Sequence, residues 1–222
     1  MTKACVLIPT YNESAAIAGL VGAIKAQGLN VLVIDDGSSD GTAVLARNKG
    51  AVVLVNGKNM GKGACLIRGF SWCLRQGYEL VITIDGDAQH LPAEIPLFLK
   101  AARELPDAGI ILGNRMWKRE SMPLVRVITN KVMSWQISLV CRQHIPDTQC
   151  GFRLIRRRVL EKVSLNTSKF EIESEMLIKA ARRGFTFASV PITSIYRNEN
   201  SHINPVADTL RFIRFLWKNR KA

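Results

Sequence analysis

The chain has 222 residues, 47% of them hydrophobic, and a formal net charge of +13 at pH 7. This length suits one domain with a full core, and the longest apolar runs fall well short of the about 20 residues of a membrane span. Because the N-terminus enters strand-like sequence without a signal-peptide pattern, we expect a cytoplasmic protein. Five cysteines without CxxC spacing favour free thiols over disulfides or a zinc site. The positive charge favours an anionic partner, either nucleic acid, a nucleotide or an acidic membrane surface.

Three apolar runs near the N-terminus, at residues 4–8, 31–34 and 51–55, predict buried strands. Apolar side chains at helical spacing predict three helices. The first covers residues 14–25, the second is capped by Ser39 or Asp40 and ends at residue 48, and the third begins near residue 61. Right-handed β-α units of this kind form a parallel sheet whose loops share one edge. The pattern therefore brings Glu13, Asp36 and Asp85 to that edge.

The stretch from residue 81 to residue 90 is the most informative part of the chain. Residues 81–84 predict a strand buried on both faces, and Asp85 and Asp87 follow at its carboxyl end, where open parallel sheets bind ligands. On an extended chain the two carboxylates would point to the same side, and Gly86 between them allows a close approach. Such a pair suits Mg²⁺ or Mn²⁺ bound to a diphosphate, with Gln89 and His90 as further ligands. The alternative is a surface turn with two solvated aspartates.

Later segments leave several alternatives open. Lys62, between two glycines at a helix start, suits a phosphate or a nucleobase edge, or is a solvated lysine in a tight turn. The sequence lacks the P-loop motif and also lacks GxGxxG after the first strand, which counts against a nicotinamide or flavin enzyme. Residues 97–103 predict a helix, and 109–112 and 152–155 predict strands. Residues 116–145, basic and apolar together, suit either a helical flap at a phosphate-rich interface or an amphipathic helix packed on the domain.

Six segments carry a resemblance to a known family. They are Pro9-Thr10-Tyr11-Asn12-Glu13, Asp35-Asp36-Gly37-Ser38-Ser39-Asp40-Gly41-Thr42, Gly61-Lys62-Gly63, Asp85-Gly86-Asp87-Ala88-Gln89-His90, Gly113-Asn114-Arg115 and Asp147-Thr148-Gln149-Cys150-Gly151-Phe152-Arg153. In this order they resemble the family-2 inverting glycosyltransferases, and within them the dolichyl-phosphate or polyprenyl-phosphate mannose and glucose synthases. The resemblance extends to about residue 202. It implies a GT-A-type α/β domain over residues 1–204, with a central, mostly parallel sheet flanked by helices and a nucleotide site at its carboxyl edge.

The resemblance also implies roles for individual residues. The base and ribose of a nucleotide-sugar donor would contact Pro9, Tyr11, Glu13, Ile34, Asp36 and Lys62. The metal and diphosphate motif would comprise Asp85, Gly86, Asp87 and Gln89, with Mg²⁺ or Mn²⁺ held by Asp85, Asp87 and Gln89. Basic residues that meet the diphosphate or the acceptor phosphate would be Arg115, Arg126 and Arg197. His202 stands where close relatives have a lysine, and Asn130 where they often have a serine.

We expect from this an inverting, single-displacement transfer of a hexose from a GDP-mannose- or UDP-glucose-type donor to a polyprenyl or dolichyl phosphate. Asp87, Arg115 and Arg126 would be the catalytic residues. A lipid phosphate is already anionic at neutral pH, so a protein base is unnecessary. Glu173 and Glu175 are candidate bases if the acceptor is instead a sugar hydroxyl or another lipid, and they could equally balance the charge of nearby arginines. A non-catalytic nucleotide- or nucleic-acid-binding module is disfavoured, because carboxylates line the loops that would face phosphates.

The C-terminal residues 205–222 predict a basic amphipathic helix in which Leu210, Ile213 and Leu216 share one face with positive charges around it. A helix of about a dozen residues, about 18 Å long, is too short to span a bilayer. We hypothesise that it holds the enzyme peripherally on the inner, cytoplasmic face of an anionic membrane, together with residues 116–145. The alternative is a helix docked on the core.

Overall fold

The structure, a computed structural model, describes residues 3–117, 122–167 and 171–195. They form one seven-stranded mixed sheet with the strand order β3-β2-β1-β4-β6-β5-β7. The strands are β1 (Ala4–Thr10), β2 (Asn30–Asp35), β3 (Val52–Val55), β4 (Leu80–Thr83), β5 (Ala108–Asn114), β6 (Arg153–Arg156) and β7 (Thr186–Pro191). The α-helices are α1 (Ser14–Lys25), α2 (Thr42–Asn48), α3 (Lys62–Arg75), α4 (Ile95–Glu104), α5 (Leu124–Cys141), α6 (Arg157–Lys162) and α7 (Ile172–Arg182).

The sheet is mostly parallel, as predicted. Strands β3, β2, β1 and β4 run parallel to one another, and β5 runs parallel to β7. Only β6, among the described strands, is antiparallel to its neighbours β4 and β5. The register pairs Pro9 with Ile34 and Thr10 with Asp35, so β1 and β2 end side by side. The loops that follow them therefore open at the same edge, which confirms the expected arrangement of the strand ends.

Hydrophobic cores cover both faces of the sheet. Helix α1 begins and ends where the sequence predicts and buries Ile17, Leu20, Val21 and Ile24. Together with α4 it packs on one face, whereas α3, α5 and α7 contribute to the core on the other. Every residue of β1 is buried, which agrees with a central strand covered on both sides. Among the described helices, none combines the length and the apolar character needed to cross a membrane.

Some predictions need correction or lie outside the described residues. Helix α4 begins at Ile95, two residues before the predicted start, with a proline in its first turn, a position that proline favours. Within the basic and apolar region 116–145, the helix is confined to Leu124–Cys141. Strand β7 was not predicted. Arg197, His202 and the whole of residues 205–222 lie outside the described residues.

Candidate active site

The loops that leave β1 and β2 hold each other through hydrogen bonds at the carboxyl edge of the sheet. The backbone N–H of Asn12 donates to Ser38 Oγ at 2.9 Å, and the N–H of Ser39 donates back to Asn12 Oδ1 at 3.0 Å. Asn12 adopts a left-handed backbone conformation with φ 56°, which asparagine tolerates. The rim of the site is therefore a fixed surface. Of the predicted nucleotide contacts, Tyr11 is exposed and Glu13 half-buried on this rim, whereas Pro9 and Ile34 are buried beneath it.

Asp36 links the end of β2 to the loop that begins α3. Its carboxylate accepts hydrogen bonds from Asn56 Nδ2 at 2.7 Å, from the N–H of Met60 at 2.9 Å and from the N–H of Gly61 at 2.7 Å. Burial acts to raise the pKa of Asp36, but these hydrogen bonds hold it below its usual range. Asp36 is thus an anion that fixes the turn immediately before Lys62.

Lys62 connects three distant parts of the chain. Its Nζ lies 2.6 Å from Asp85 Oδ1 and 2.8 Å from Glu173 Oε1, and all three side chains are largely buried. Burial acts to lower the pKa of Lys62, but the two carboxylates raise it above its usual value. Likewise, burial acts to raise the pKa of Asp85, and Lys62 lowers it. Of the two readings of Lys62, the solvated lysine is wrong, since its ammonium is bound inside the site.

The two aspartates of the 85–87 motif have different partners. The chain turns at residues 86 and 87, as in the alternative interpretation, and does not continue extended. Asp85 meets Lys62, whereas Asp87 Oδ1 accepts the N–H of Gln89 at 3.0 Å. Gly86 packs so closely that a Cβ there would lie 3.0 Å from Thr10 Oγ1. A side chain at position 86 would therefore push the turn away from β1.

The donor set of this turn fits a hard divalent cation. The Asp87 carboxylate and the Gln89 amide are oxygen donors two residues apart. In the described part of the chain no group of three or more His, Cys, Asp or Glu side chains could enclose an ion. An ion held here would need further oxygens from water or from a phosphate, which is how Mg²⁺ is commonly bound.

Arg115 forms a second charged centre with Asp147. Its Nε and Nη2 donate to the two oxygens of Asp147 at 2.8 and 2.9 Å, and its backbone N–H donates to Oδ2 at 3.1 Å. Asp147 is fully buried. Burial acts to raise its pKa, but Arg115 holds it below its usual range. This bidentate contact fixes the plane of the guanidinium.

His90 lies near both charged centres, since residues of each act on its charge. Its ring is buried, packs 5.5 Å from the Phe152 ring, and its Nδ1 has no hydrogen-bond partner among the described residues. Burial is the main cause that lowers the pKa of His90 to about 4, and the charges of Asp85, Arg115, Lys62 and Asp147 also act on it. The imidazole is therefore neutral at pH 7. The carboxylate turn and the arginine thus belong to one site.

The two candidate bases occupy different environments. Glu173 is part of the Lys62 cluster, in the site. Glu175 instead accepts hydrogen bonds from the N–H groups of Asn166 and Thr167, from the Thr167 hydroxyl and from Lys179 Nζ. Its carboxylate therefore fastens the segment at residues 166 and 167 to α7. Arg126 lies half-buried on the first turn of α5.

Sequence reasoning gave no role to three residues that build the site. Asp147 orients Arg115, and the buried Arg153 donates to the carbonyls of Thr148, Cys150 and Glu173. Gly151 packs against Asp85, since a Cβ there would lie 2.5 Å from Asp85 Oδ2. All three belong to the segment 147–153 that carried part of the resemblance. The sequence signal that could have identified them is an acid, a glycine and an arginine close together after an apolar helix.

Solved structures with this architecture belong to sugar-transfer enzymes. The glucosyl-3-phosphoglycerate synthase from Mycobacterium tuberculosis, solved with Mn²⁺, uridine diphosphate and glucosyl-3-phosphoglycerate, is similar with a TM-score of 0.76 at 18% identity, over 98% of this chain and 78% of that chain. The mannosyl-3-phosphoglycerate synthase from Rubrobacter xylanophilus is similar with a TM-score of 0.77 at 18% identity, over 100% of this chain and 76% of that chain. The fold is therefore that of the GT-A glycosyltransferases.

Sequence comparison identifies the family within this fold class. The family model of glycosyl transferase family 2 matches residues 5–164. The chain belongs to this family and is a glycosyltransferase. It is 31% identical to the polyprenol monophosphomannose synthase of Mycolicibacterium smegmatis, over 86% of this chain and 77% of that protein. It is also 31% identical to the undecaprenyl-phosphate mannosyltransferase of Micrococcus luteus, over 86% of this chain and 83% of that protein.

Proposed function

We propose that this enzyme transfers a hexose, with inversion, from a nucleotide-sugar donor of the GDP-mannose or UDP-glucose type to a polyprenyl or dolichyl phosphate. The observation that carries the proposal is the proximity of two unlike charged centres, both of which also act on His90. The turn at Asp85 and Asp87 suits a metal-bound diphosphate, and Arg115, oriented by Asp147, suits a second phosphate. The names of the two mannose-transferring relatives support a lipid phosphate as that second group.

The proposed mechanism uses the arginine for positioning. Arg115 binds the lipid phosphate through charge-assisted hydrogen bonds, and Arg126 assists from the first turn of α5. A phosphate oxygen attacks the anomeric carbon and forms the new C–O bond, while the bond to the nucleoside diphosphate breaks and its electron pair leaves with the diphosphate. Because the attacking oxygen is already anionic, no protein base takes part.

We propose Mg²⁺ or Mn²⁺ as the cofactor. Asp87 and Gln89 would hold the ion, with Asp85 nearby, and Pro9, Tyr11, Glu13 and Asp36 would meet the nucleoside. When bound, the cation neutralises the charge that builds on the leaving diphosphate. The structural neighbour solved with Mn²⁺ and uridine diphosphate supports this choice.

A transfer assay tests the reaction. The donors are GDP-, UDP- and dTDP-sugars, the acceptor is undecaprenyl or dolichyl phosphate, and a thermal-shift panel with Mn²⁺ first selects the donor. We expect a sugar-linked lipid phosphate whose formation stops with a chelator and with Asp87→Ala. The matched control is Asp107→Ala, an exposed aspartate outside the site. Full activity with chelator and in Asp87→Ala would exclude the metal role, and no transfer from any donor would exclude the reaction.

A second candidate function, with the same fold, is transfer of the sugar to a sugar hydroxyl or to another lipid. The presence of Glu173 in the site favours it, because a hydroxyl needs a base. It predicts transfer to a hydroxyl acceptor, either a sugar or another lipid, and a rate that collapses in Glu173→Gln or Glu175→Gln. Transfer to lipid phosphate that survives both substitutions would exclude it.

We also propose that the enzyme works peripherally on the cytoplasmic face of an anionic membrane. The support is an outer stripe on α5, formed by exposed apolar side chains on one side of the helix. At about 100° per residue they fall within an arc of about 100°. The stripe comprises Leu124, Val125, Ile128, Val132, Trp135 and Leu139. The opposite side of α5 is buried and also mostly apolar, with Val127, Ile137 and Cys141, so this helix exposes a face that is normally covered.

Charge and position favour a lipid surface as the occupant of the outer stripe. Helix α5 contains no Asp or Glu, and Arg126 and Lys131 are its charged residues. If two copies of this face met, like charges would repel. Near an anionic leaflet, in contrast, each basic residue contributes about 1 kcal/mol of favourable binding free energy. Tryptophans 117 and 135 are 73% and 63% exposed, and tryptophan favours the membrane interface. The stripe begins nine residues after Arg115, the residue proposed to bind the acceptor phosphate.

Flotation with anionic vesicles tests this attachment. We expect the full chain to float and Ile128→Glu/Trp135→Glu to remain unbound, while its thermal shift with donor is retained. Val44→Glu, which changes an exposed apolar residue of α2, is the matched control. A version ending at Asn204 tests the expected contribution of residues 205–222. Equal flotation of the stripe variant and the wild type, or a wild-type dimer that the variant abolishes, would contradict the lipid assignment.

A further inference from the structure

One ion cluster joins three elements that are far apart in the sequence. Lys62 is the first residue of α3, Asp85 follows β4, and Glu173 is on the first turn of α7. The Lys62 ammonium contacts both carboxylates, at 2.6 and 2.8 Å, with side-chain exposures of 16% for Lys62, 27% for Asp85 and 12% for Glu173. The three side chains therefore form a single buried unit at the edge of the site.

The position of Lys62 is costly unless close partners hold its ammonium. An ammonium at the first residue of a helix lies at the positive end of the helix dipole. Removing it from water adds a desolvation cost that only close, well-placed partners repay. Asp85 neutralises the charge of the ammonium, and Glu173 supplies a second acceptor that anchors the ammonium from the opposite element. A lysine held in this way is a fixed part of the site.

The first turn of α7 is itself tied to the other side of Asp85. The buried Arg153 donates to the carbonyl of Glu173 at 2.8 Å and to those of Thr148 and Cys150 at 2.7 Å each. Gly151 lies in the same turn, and a Cβ there would lie 2.5 Å from Asp85 Oδ2. Asp85 is therefore held at one oxygen by Lys62 and confined at the other by the turn that Arg153 fastens to α7.

We propose that Glu173 is a positioning residue that holds Lys62 against Asp85. Asp85 is thereby fixed, next to the Asp87 carboxylate that would meet the metal and the donor diphosphate. This inference rests on the proposed function, in which that turn receives a metal-bound donor. It also gives Glu173 a role that needs no proton transfer, since Glu173 Oε1 is bound to Lys62. The acceptor reaction then proceeds without Glu173 as a base.

A double-mutant cycle on Mn²⁺-dependent nucleotide binding tests the proposal without any need for turnover. The measured quantity is the Kd of Mn²⁺ with GDP and with UDP, by calorimetry. Glu173→Ala releases Lys62, and we expect binding to weaken by about tenfold to a hundredfold, as for other groups that support metal ligands. Lys62→Met gives a similar loss. Because the two residues act through one contact, Glu173→Ala causes no further loss in the Lys62→Met background.

Glu173→Gln separates positioning from base catalysis. Glutamine keeps an oxygen that accepts the Lys62 hydrogen bond, so we expect both nucleotide binding and kcat to stay within about threefold of wild type, with an unchanged pH profile. Glu161→Ala, which removes an exposed carboxylate paired with Arg157, is the matched control. Thermal midpoints report folding, and if Glu173→Ala does not fold, Lys62→Met and Glu173→Gln still carry the test.

Several outcomes would overturn the inference. They are additive losses in the cycle, a Glu173→Gln variant whose kcat collapses while its binding is normal, and a wild type that binds neither nucleotide with Mn²⁺. Failure of the proposed function looks different. In that case the cycle is non-additive and Glu173→Gln binds normally, but the wild type transfers no sugar to a lipid phosphate.

Discussion

Asp147 is the residue on which the orientation of Arg115 depends. Both of its oxygens contact one guanidinium, and the carboxylate is fully buried. In Asp147→Asn the arginine keeps one acceptor and loses its counter-charge. We expect a loss of about 3 kcal/mol in the free energy of unfolding, because a buried charge is left uncompensated. Urea denaturation measures it.

The same substitution affects the acceptor more than the donor. A misplaced guanidinium weakens phosphate binding, so we expect KM for the lipid phosphate to rise and the thermal shift by donor to remain. The control is Glu104→Ala, which removes an exposed ion pair with Lys100 at 3.8 Å and costs at most about 0.5 kcal/mol. An Asp147→Asn variant as stable as the control would show that the Arg115 contact contributes little.

Gly151 sets the space available to Asp85. A methyl group at this position would lie 2.5 Å from Asp85 Oδ2, closer than atoms can approach, so the carboxylate must move. Since a displacement of about 1 Å can reduce a rate about a hundredfold, we expect kcat/KM in Gly151→Ala to fall by about tenfold or more. Gly19→Ala, on the exposed side of α1 with nothing within 4 Å, should keep full activity. Equal activity of the two variants would contradict the close packing.

At the scale of elements, α7 carries two glutamates with different tasks. Glu175 fastens the segment at residues 166 and 167. Its hydrogen bonds hold the pKa of this buried carboxyl below its usual range, although burial acts to raise it. We expect Glu175→Gln to lower the free energy of unfolding by about 2 kcal/mol, because buried donors lose a charged acceptor. Transfer to lipid phosphate should stay within about threefold. A normal stability with a collapsed rate would identify Glu175 as a base.

The elements also show how far the sequence predicts the fold. Helix α1 and strands β1, β2 and β4 follow from apolar periodicity, because each buries a complete stripe or both faces. The reversed direction of β6 leaves no periodic signal, since an antiparallel central strand is as apolar as a parallel one. Strand β7 lies at the end of the sheet and is only partly buried, so its pattern is weak.

The site, too, is only partly predictable from the sequence. That Glu13, Asp36 and Asp85 share an edge follows from topology alone. The contact of Lys62 with Glu173, 111 residues apart, and that of Arg115 with Asp147, 32 residues apart, depend on the exact course of loops. Periodicity carries no information about those loops. For the same reason the turn at residues 86 and 87 was only the alternative interpretation of the Asp85–Asp87 motif.

At the scale of the whole molecule, ionised groups that are buried make stability depend on pH. Hydrogen bonds and ion pairs hold the pKa values of Asp36, Asp147 and Glu175 below their usual range against the effect of burial. A group with a lowered folded-state pKa stabilises the protein above its unfolded pKa, about 4 for these carboxyls, and this contribution is lost as the pH falls through the folded value. His90 is neutral in the folded protein, because burial lowers its pKa to about 4. Its contribution to stability is lost as the pH falls below about 6.5.

We therefore expect the free energy of unfolding, measured in urea without added metal, to be constant from about pH 8 to 7. As the pH is lowered further, it should decrease in two stages. The first stage, between about pH 6.5 and 4, comes from protonation of His90 in the unfolded chain and is absent in His90→Gln. The second, below about pH 4, comes from the carboxylates. Asp147→Asn and Glu175→Gln should start less stable at pH 7 and approach the wild type at low pH, because protonated carboxyls no longer supply the charge that the substitutions remove. Curves that run parallel at every pH would show that these ion pairs do not determine the acid stability.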